Sequence, residues 1–290
     1  MHKVYSGFQY LTPKTVGEVC VFLAQYKKQA TVLAGGTDVM VLLKGHAITP
    51  SYIIKLDAIK GLDYIVQDDK GLKIGALATM ADIAGSTVVK ERFPLLAYAA
   101  DEMGSPQVRN TATVVGNLCR AAPSADTAPP LLALGAKLKV VSSAGERIVN
   151  LGDFFIGPGE TVLRNDEMVI EIQIPNLPPN TYGVYTRTSS RAALSIAQVS
   201  AAVVVTLDST KSSVVEARIV LGSVAPTPIR ATQAEEALKG QTINDEIIKK
   251  AAGEAMSAAK PISDVRSSAA YRKEMVKALV ERALRQVTAK

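Results

Sequence analysis

An α+β fold in three parts is predicted for this chain of 290 residues, on three observations. A short helix–strand–turn–helix–strand series occupies residues 1–57, and two hairpin signals flank a helical stretch within 58–177. Beyond a proline-rich break, residues 178–290 read as three strands followed by helices. Hydrophobic residues make up 48% and charged residues 21%, the balance of a globular chain long enough to bury a full core.

The elements follow in order. Thr15 and Glu18 have capping-box spacing, and Val16, Val19, Cys20, Leu23 and Tyr26 recur at helical period behind them. Thr31 to Ala34 is a short apolar run that reads as a buried strand; Gly35-Gly36-Thr37 turns the chain, and Asp38 to Lys44 reads as a short helix. Tyr52 to Leu56 is a second strand. Asp63 to Gln67 and Leu72 to Gly75 flank Asp68-Asp69-Lys70-Gly71, a hairpin signal, and Thr79 to Glu102 reads as helix broken at Pro94. Lys137 to Ser142 and Arg147 to Leu151 form another hairpin around Ser143-Ala144-Gly145-Glu146.

Three prolines between Pro175 and Asn180 prevent regular pairing and mark a linker. Tyr182 to Arg187, Val199 to Leu207 and Val214 to Leu221 are the strands beyond it; Glu235 to Leu238, Asp245 to Ala259 and Ala269 to Val287 are the helices. The last helix is amphipathic, with Tyr271, Met275, Ala278 and Leu279 on one side and Arg272, Lys273, Lys277 and Glu281 on others. Its apolar side is read as core packing, with a partner-subunit surface as the rival use.

Several function classes are disfavoured. No apolar run approaches the ~20 residues of a membrane span, and the N-terminus has no apolar segment of the secretory kind. The formal charge is +6, yet the basic residues are dispersed and no basic-aromatic stretch offers a nucleic-acid surface. Cys20 and Cys119 are too few for a disulfide framework, so a reducing cytoplasm is expected. His2 and His46 are isolated, with no ligand spacing for a metal.

Two glycine-centred segments carry the chemistry. In Leu33-Ala34-Gly35-Gly36-Thr37-Asp38-Val39, main-chain N–H groups free of bulky side chains converge where a strand hands over to a helix, an arrangement suited to a diphosphate. The rival reading is a tight turn with Asp38 as helix cap. Neither a Walker A loop nor G-x-G-x-x-G is present, which disfavours a Rossmann nicotinamide site. The second segment, Thr113-Val114-Val115-Gly116-Asn117, is read as a further loop and runs on through Cys119 to Pro123-Ser124-Ala125-Asp126. Asp126 suits a ribose or another hydroxylated group, or else caps the helix starting near Ala128.

These two segments, in this order, closely resemble the FAD-binding subunits of molybdenum hydroxylases, the family that includes the xanthine dehydrogenase and carbon monoxide dehydrogenase flavoproteins. The resemblance continues through Asp166-Glu167-Met168-Val169 to Pro175, resumes in Tyr185-Thr186-Arg187 and Arg191 to Ala197, and ends at Tyr271 to Met275, so it spans nearly the whole chain. It implies a vanillyl-alcohol-oxidase-like FAD-binding fold: a small α/β subdomain, a mixed α+β subdomain, and a C-terminal domain of a three-stranded antiparallel sheet with a helix bundle.

The implied cofactor is FAD, lying between the first two subdomains with the third closing over the flavin. Residues 33–39 would wrap the diphosphate, Thr113, Gly116, Asn117 and Cys119 would form the opposite wall, and Asp126, Met168 and Val169 match further contacts. Arg187 falls where the family usually has lysine near the flavin, with Tyr185 as a neighbour of the ring. Ser195 stands where relatives often have aspartate, and the cysteine-rich loop that holds a [4Fe-4S] cluster in some relatives has no counterpart. The implied partners are a molybdopterin-binding large subunit and a [2Fe-2S] small subunit, with NAD+ or another acceptor receiving the electrons. A stand-alone FAD oxidoreductase and a flavin-free scaffold are the rival functions; no catalytic acid–base constellation is visible in the chain.

Overall fold

The computed structural model describes residues 7–191 and 194–288. His2, with the rest of the N-terminal hexapeptide, and Ala192 and Ala193 lie outside the described residues. Helix Val16–Tyr26 starts where expected: Thr15 Oγ1 accepts the Glu18 amide at 3.2 Å. The Glu18 carboxylate reaches back to the Lys14 amide at 2.8 Å instead of that of Thr15, so the reciprocal cap is displaced by one residue. Val19, Cys20 and Leu23 are buried, as their period requires.

Strand Ala30–Leu33 pairs in parallel with Tyr52–Lys55, which pairs in parallel with Gln9–Leu11. The third of these strands has no signature in the sequence, because three residues are too short to show alternation. A mixed run of helices and hairpins follows. Its sheet is antiparallel in the order Ile65–Asp68, Gly71–Gly75, Met168–Pro175, Lys137–Ser142, Gly145–Asn150. Both expected hairpins form its flanks, and Met168–Pro175 is the central strand, buried at five of its eight positions.

The helix expected over 79–102 is three helices, Met80–Gly85, Thr87–Arg92 and Pro94–Asp101. The additional break has a local cause. Ser86 turns its hydroxyl onto the Val89 amide at 3.4 Å, starting a new helix where the periodicity alone runs on.

The C-terminal sheet has the three expected antiparallel strands, Thr181–Thr188, Val199–Leu207 and Val214–Gly222. A fourth, Ile229–Arg230, adds to the edge; two residues between polar turns give no strand signal. Every residue of Val199–Leu207 except Leu207 is buried, because the strand is covered on both faces. Ala201, Val203 and Val205 pack toward helices Thr232–Leu238, Asp245–Ala258 and Ala269–Thr288. Ala202 and Val204 alternate with them and join the large core under the five-stranded sheet, together with Leu72, Ile74 and Leu96. The last helix turns differently from expectation: Tyr271 is 46% exposed, whereas Arg272 is only 4% exposed. Arg272 Nη2 meets Asp264 Oδ1 at 2.6 Å and its Nη1 donates to the Ser223 carbonyl at 3.4 Å. An arginine held by an ion pair occupies the inward position expected for an aromatic.

Val204 thus sits at the seam between the C-terminal sheet and the rest of the chain. Val204→Asp would bury an unpaired carboxylate there and is expected to cost about 3 kcal/mol or more. The check is the urea midpoint; a wild-type value would contradict the two-faced packing.

Candidate functional site

Leu33, the last residue of its strand, packs with Leu43 and Ile53 and anchors the glycine turn from below. The chain then turns through Ala34 to Asp38 and enters helix Val39–Lys44. A Cβ on Gly35 would fall onto the carbonyl oxygen of Thr111, with Ala112 Cα at 3.1 Å, so the backbones touch and only glycine fits. Gly36 lies at φ +75, the left-handed region. The main-chain N–H groups of Gly35, Gly36, Thr37 and Asp38 donate to no acceptor among the described residues. Asp38 holds the N-cap position without a side-chain cap bond, contrary to the simple-turn reading. Its carboxylate instead faces Arg120, with Oδ1 3.8 Å from Nε.

The second segment is a correction. Thr113 to Asn117 is not a loop but the cap and first turn of helix Val114–Arg120. Thr113 Oγ1 accepts the Gly116 amide at 3.0 Å, the Asn117 amide bonds the Thr113 carbonyl at 3.0 Å, and the Val114 amide bonds the Ala78 carbonyl at 3.2 Å. The amides of Gly116 and Asn117 are therefore spent inside the protein. The Asn117 side chain is held as well, its Oδ1 accepting from Thr127 Oγ1 at 2.7 Å. Without a Glu or Gln at the N3 position, this cap lacked the signature that marks a helix start.

The contact of Gly35 with Thr111 and Ala112 brings the two segments to one cavity of about 460 Å³. Ala34 through Val39 line one side and Thr113, Gly116, Asn117 and Cys119 another, with Met168 and Val169 contributed by the start of the central strand. Among the lining residues that were not anticipated are Met103, Arg120 and Glu167. Glu167, whose side chain is 1% exposed, is gripped by Arg147, Nε to Oε1 at 2.7 Å and Nη2 to Oε2 at 2.8 Å, and by the Arg164 amide at 2.8 Å. Hydrogen bonding to Arg147 is the main cause that holds its carboxyl below the usual range. The clamp fixes the residues that precede Met168. Its partners are twenty residues apart, beyond the reach of any local motif.

Asp126, Tyr185 and Arg187 come together elsewhere. None of the three lines that cavity. The Tyr185 hydroxyl donates to Asp126 Oδ1 at 2.9 Å, and Arg187 Nη1 reaches the same oxygen at 3.2 Å and the Glu102 carbonyl at 3.0 Å. Arg187 Nη2 donates to the Ser195 carbonyl. Glu102 adjoins Met103, so this buried cluster lies one residue behind the cavity wall. Asp126 makes no cap for helix Ala128–Ala133, which has none from a side chain.

Residues 6–177 match the family model described as the FAD binding domain in molybdopterin dehydrogenase, and residues 185–287 match the CO dehydrogenase flavoprotein C-terminal domain. The chain belongs to this FAD-binding family. It is 32% identical to the glyceraldehyde dehydrogenase medium chain of Sulfolobus acidocaldarius over 97% of this chain and 98% of that one. It is 31% identical to the xanthine dehydrogenase FAD-binding subunit of Escherichia coli O157:H7 over 90% of this chain and 89% of that one. A solved structure of carbon monoxide dehydrogenase from Hydrogenophaga pseudoflava superposes with a TM-score of 0.94 at 32% identity, covering 99% of both chains.

The cavity suits the cofactor of the family. Unpaired amides at 35–38 offer donors to an anionic centre, and Val39, Leu56, Met103, Met168 and Val169 supply apolar walls to flat ring systems. Burial pushes the Cys119 thiol up to about 12, so it presents a neutral, unreactive surface. Among the described residues no three His, Cys, Asp or Glu side chains gather as a metal site, and no helix is long and apolar enough to cross a membrane.

Burial also raises Asp126 from 3.8 to about 6, against the charge of Arg187 and the Tyr185 hydroxyl, which pull the other way. The unfolded chain keeps this carboxyl at its ordinary value, so the folded FAD-binding chain carries the extra proton between about pH 4 and pH 6. Its contribution to stability is present below that window and is lost as pH rises through it. Asp126→Asn is expected to flatten this part of the pH–stability curve, measured by urea unfolding from pH 4.5 to pH 7. An unchanged slope would show that Asp126 titrates normally.

Proposed function

We propose that this chain is the flavoprotein subunit of a molybdenum hydroxylase-type dehydrogenase, holding FAD in the cavity between the glycine turn and the Thr113 helix. The observation that carries this reading is the set of unpaired main-chain amides at Gly35, Gly36, Thr37 and Asp38, opening on a cavity with apolar walls from Val39, Leu56, Met103, Met168 and Val169. The amides of 35–38 would take the diphosphate, while Thr113, Gly116, Asn117 and Cys119 form the facing wall. Leu33 supports the turn without reaching the cavity, and Met168 and Val169, set by the Glu167 clamp, would flank a ring system.

The division of labour follows the chain: residues 1–57 and 58–177 would hold the cofactor between them, and 178–290 would close over it. Strand Thr181–Thr188 brings Tyr185 and Arg187 to the back of the cavity wall, where they and Asp126 would set the electrostatics of the flavin end. Arg187 keeps its charge deep in the fold because Asp126 and two main-chain carbonyls satisfy its outer nitrogens. The carboxylates on the cavity wall are Asp38 and Glu167, and both face arginines. The wall is equipped to bind and orient, not to exchange protons with a substrate.

When bound, FAD supplies the link between one-electron iron–sulfur centres and a two-electron acceptor such as NAD+. The relatives' names, medium chain and FAD-binding subunit, support an assembly in which this chain joins a molybdopterin-binding large subunit and a [2Fe-2S] small subunit. A cytoplasmic location fits that assembly and the two unpaired cysteines.

Two measurements test the reading. The purified chain, titrated with FAD, is expected to show a bound-flavin absorbance spectrum at one FAD per chain. Gly36→Ala strains the turn at φ +75 and is expected to weaken FAD about tenfold while costing only about 1 kcal/mol of fold stability. Absence of FAD uptake by the wild-type chain, or indifference of uptake to Gly36→Ala, would contradict the site. Mass spectrometry of proteins that co-purify with the chain is expected to find the two partner subunits.

A further inference from the structure

Arg120 stands apart from the other groups around the cavity. Among the described residues that line it, Arg120 is the one lysine or arginine. It closes the helix Val114–Arg120, whose start is fixed by the Thr113 cap, so its position is set by the fold and not by a mobile loop. Its Nε lies 3.8 Å from Asp38 Oδ1, which places the guanidinium at the end of the cavity where the unpaired amides of 35–38 lie.

The present pairing is weak. At 3.8 Å the two side chains make no hydrogen bond, and both are partly exposed, the class of ion pair that contributes least. The other carboxylate on the wall, Glu167, is already saturated by Arg147 and Arg164 and competes for nothing. Asp38 is therefore the group from which an incoming anion would take Arg120. A phosphate oxygen offers a planar guanidinium a shorter, charge-assisted bond than this carboxylate now does.

We infer that Arg120 is the cationic contact of this chain for the diphosphate of FAD, exchanging Asp38 for a phosphate oxygen on binding. The assignment rests on the cofactor reading above and adds a residue and a charge rule to it. The amides of the glycine turn supply direction; Arg120 supplies the counter-charge that those neutral donors lack. Until then Asp38 faces the guanidinium without a hydrogen bond to it.

The test uses the full-length chain stripped of flavin and titrated with FAD and with riboflavin, which has the ring but no phosphate. Binding is read by quenching of flavin fluorescence at low and high salt, and folding by the thermal midpoint. Arg120→Gln is expected to weaken FAD about tenfold, with a shallower salt dependence, and to leave riboflavin binding unchanged. Arg120→Lys is expected to retain part of the affinity and most of the salt dependence. Asp38→Asn, which removes the competitor, is expected to tighten FAD severalfold, within about tenfold. Wild-type FAD affinity and salt dependence in Arg120→Gln would overturn the assignment while leaving the cofactor reading intact. Equal losses of FAD and riboflavin would also overturn it, by showing a damaged wall instead of a lost charge. Failure of the wild-type chain to bind FAD at all would overturn both.

Discussion

The contact between the Gly35 backbone and the Thr111–Ala112 backbone is the constraint on which the site depends. It joins a turn at the edge of a three-stranded parallel sheet to the entry of a helix that packs under a different, five-stranded sheet. A side chain at Gly35 would wedge the two apart. With none there, the turn lies against the helix entry, and its amides are left facing the cavity instead of a protein acceptor. Four successive main-chain donors without a protein acceptor line one wall of the cavity, an arrangement that the acceptors of an anionic ligand would complete.

The rest of the architecture holds this junction steady. Leu33 is packed beneath the turn, and the Glu167–Arg147 clamp fixes the strand that forms the far wall. The C-terminal sheet is attached through a strand buried on both faces, which sends Ala202 and Val204 into the large core and Ala201, Val203 and Val205 into the helical layer. The same sheet delivers Tyr185 and Arg187 to Asp126, and there burial and an ion pair oppose each other over one carboxyl. The cavity thus lies between the parallel sheet and the five-stranded sheet, and the C-terminal sheet supplies the cluster behind its wall.

Much of this was legible in the sequence. The helix at 16–26, both hairpins, the three long C-terminal strands and the final helices follow from period and turn chemistry. So did the glycine turn, because Gly-Gly between a strand and a helix is a local signal. What escaped was set by partners distant in sequence. Gln9–Leu11 is a strand only because Tyr52–Lys55 lies beside it, and Ser86 breaks a helix through a cap that apolar periodicity does not see. Arg272 is buried because Asp264 and Ser223 receive it. At the site, the Thr113 cap lacks the usual N3 carboxylate and so reads as loop, and no local pattern marks Arg120 or Glu167 as cavity residues. The family resemblance supplied the cofactor; the structure supplied which amides are free to meet it.

Amide hydrogen exchange along residues 34–39, with and without FAD, tests the central claim most directly, because it reads those N–H groups themselves. Lacking protein acceptors, the amides of Gly35, Gly36, Thr37 and Asp38 are expected to exchange quickly in the free chain and to slow markedly when FAD is added. The amide of Gly116, already bonded to Thr113, is expected to be slow in both states. FAD binding that protects other segments and leaves residues 35–38 exchanging as before would contradict the account.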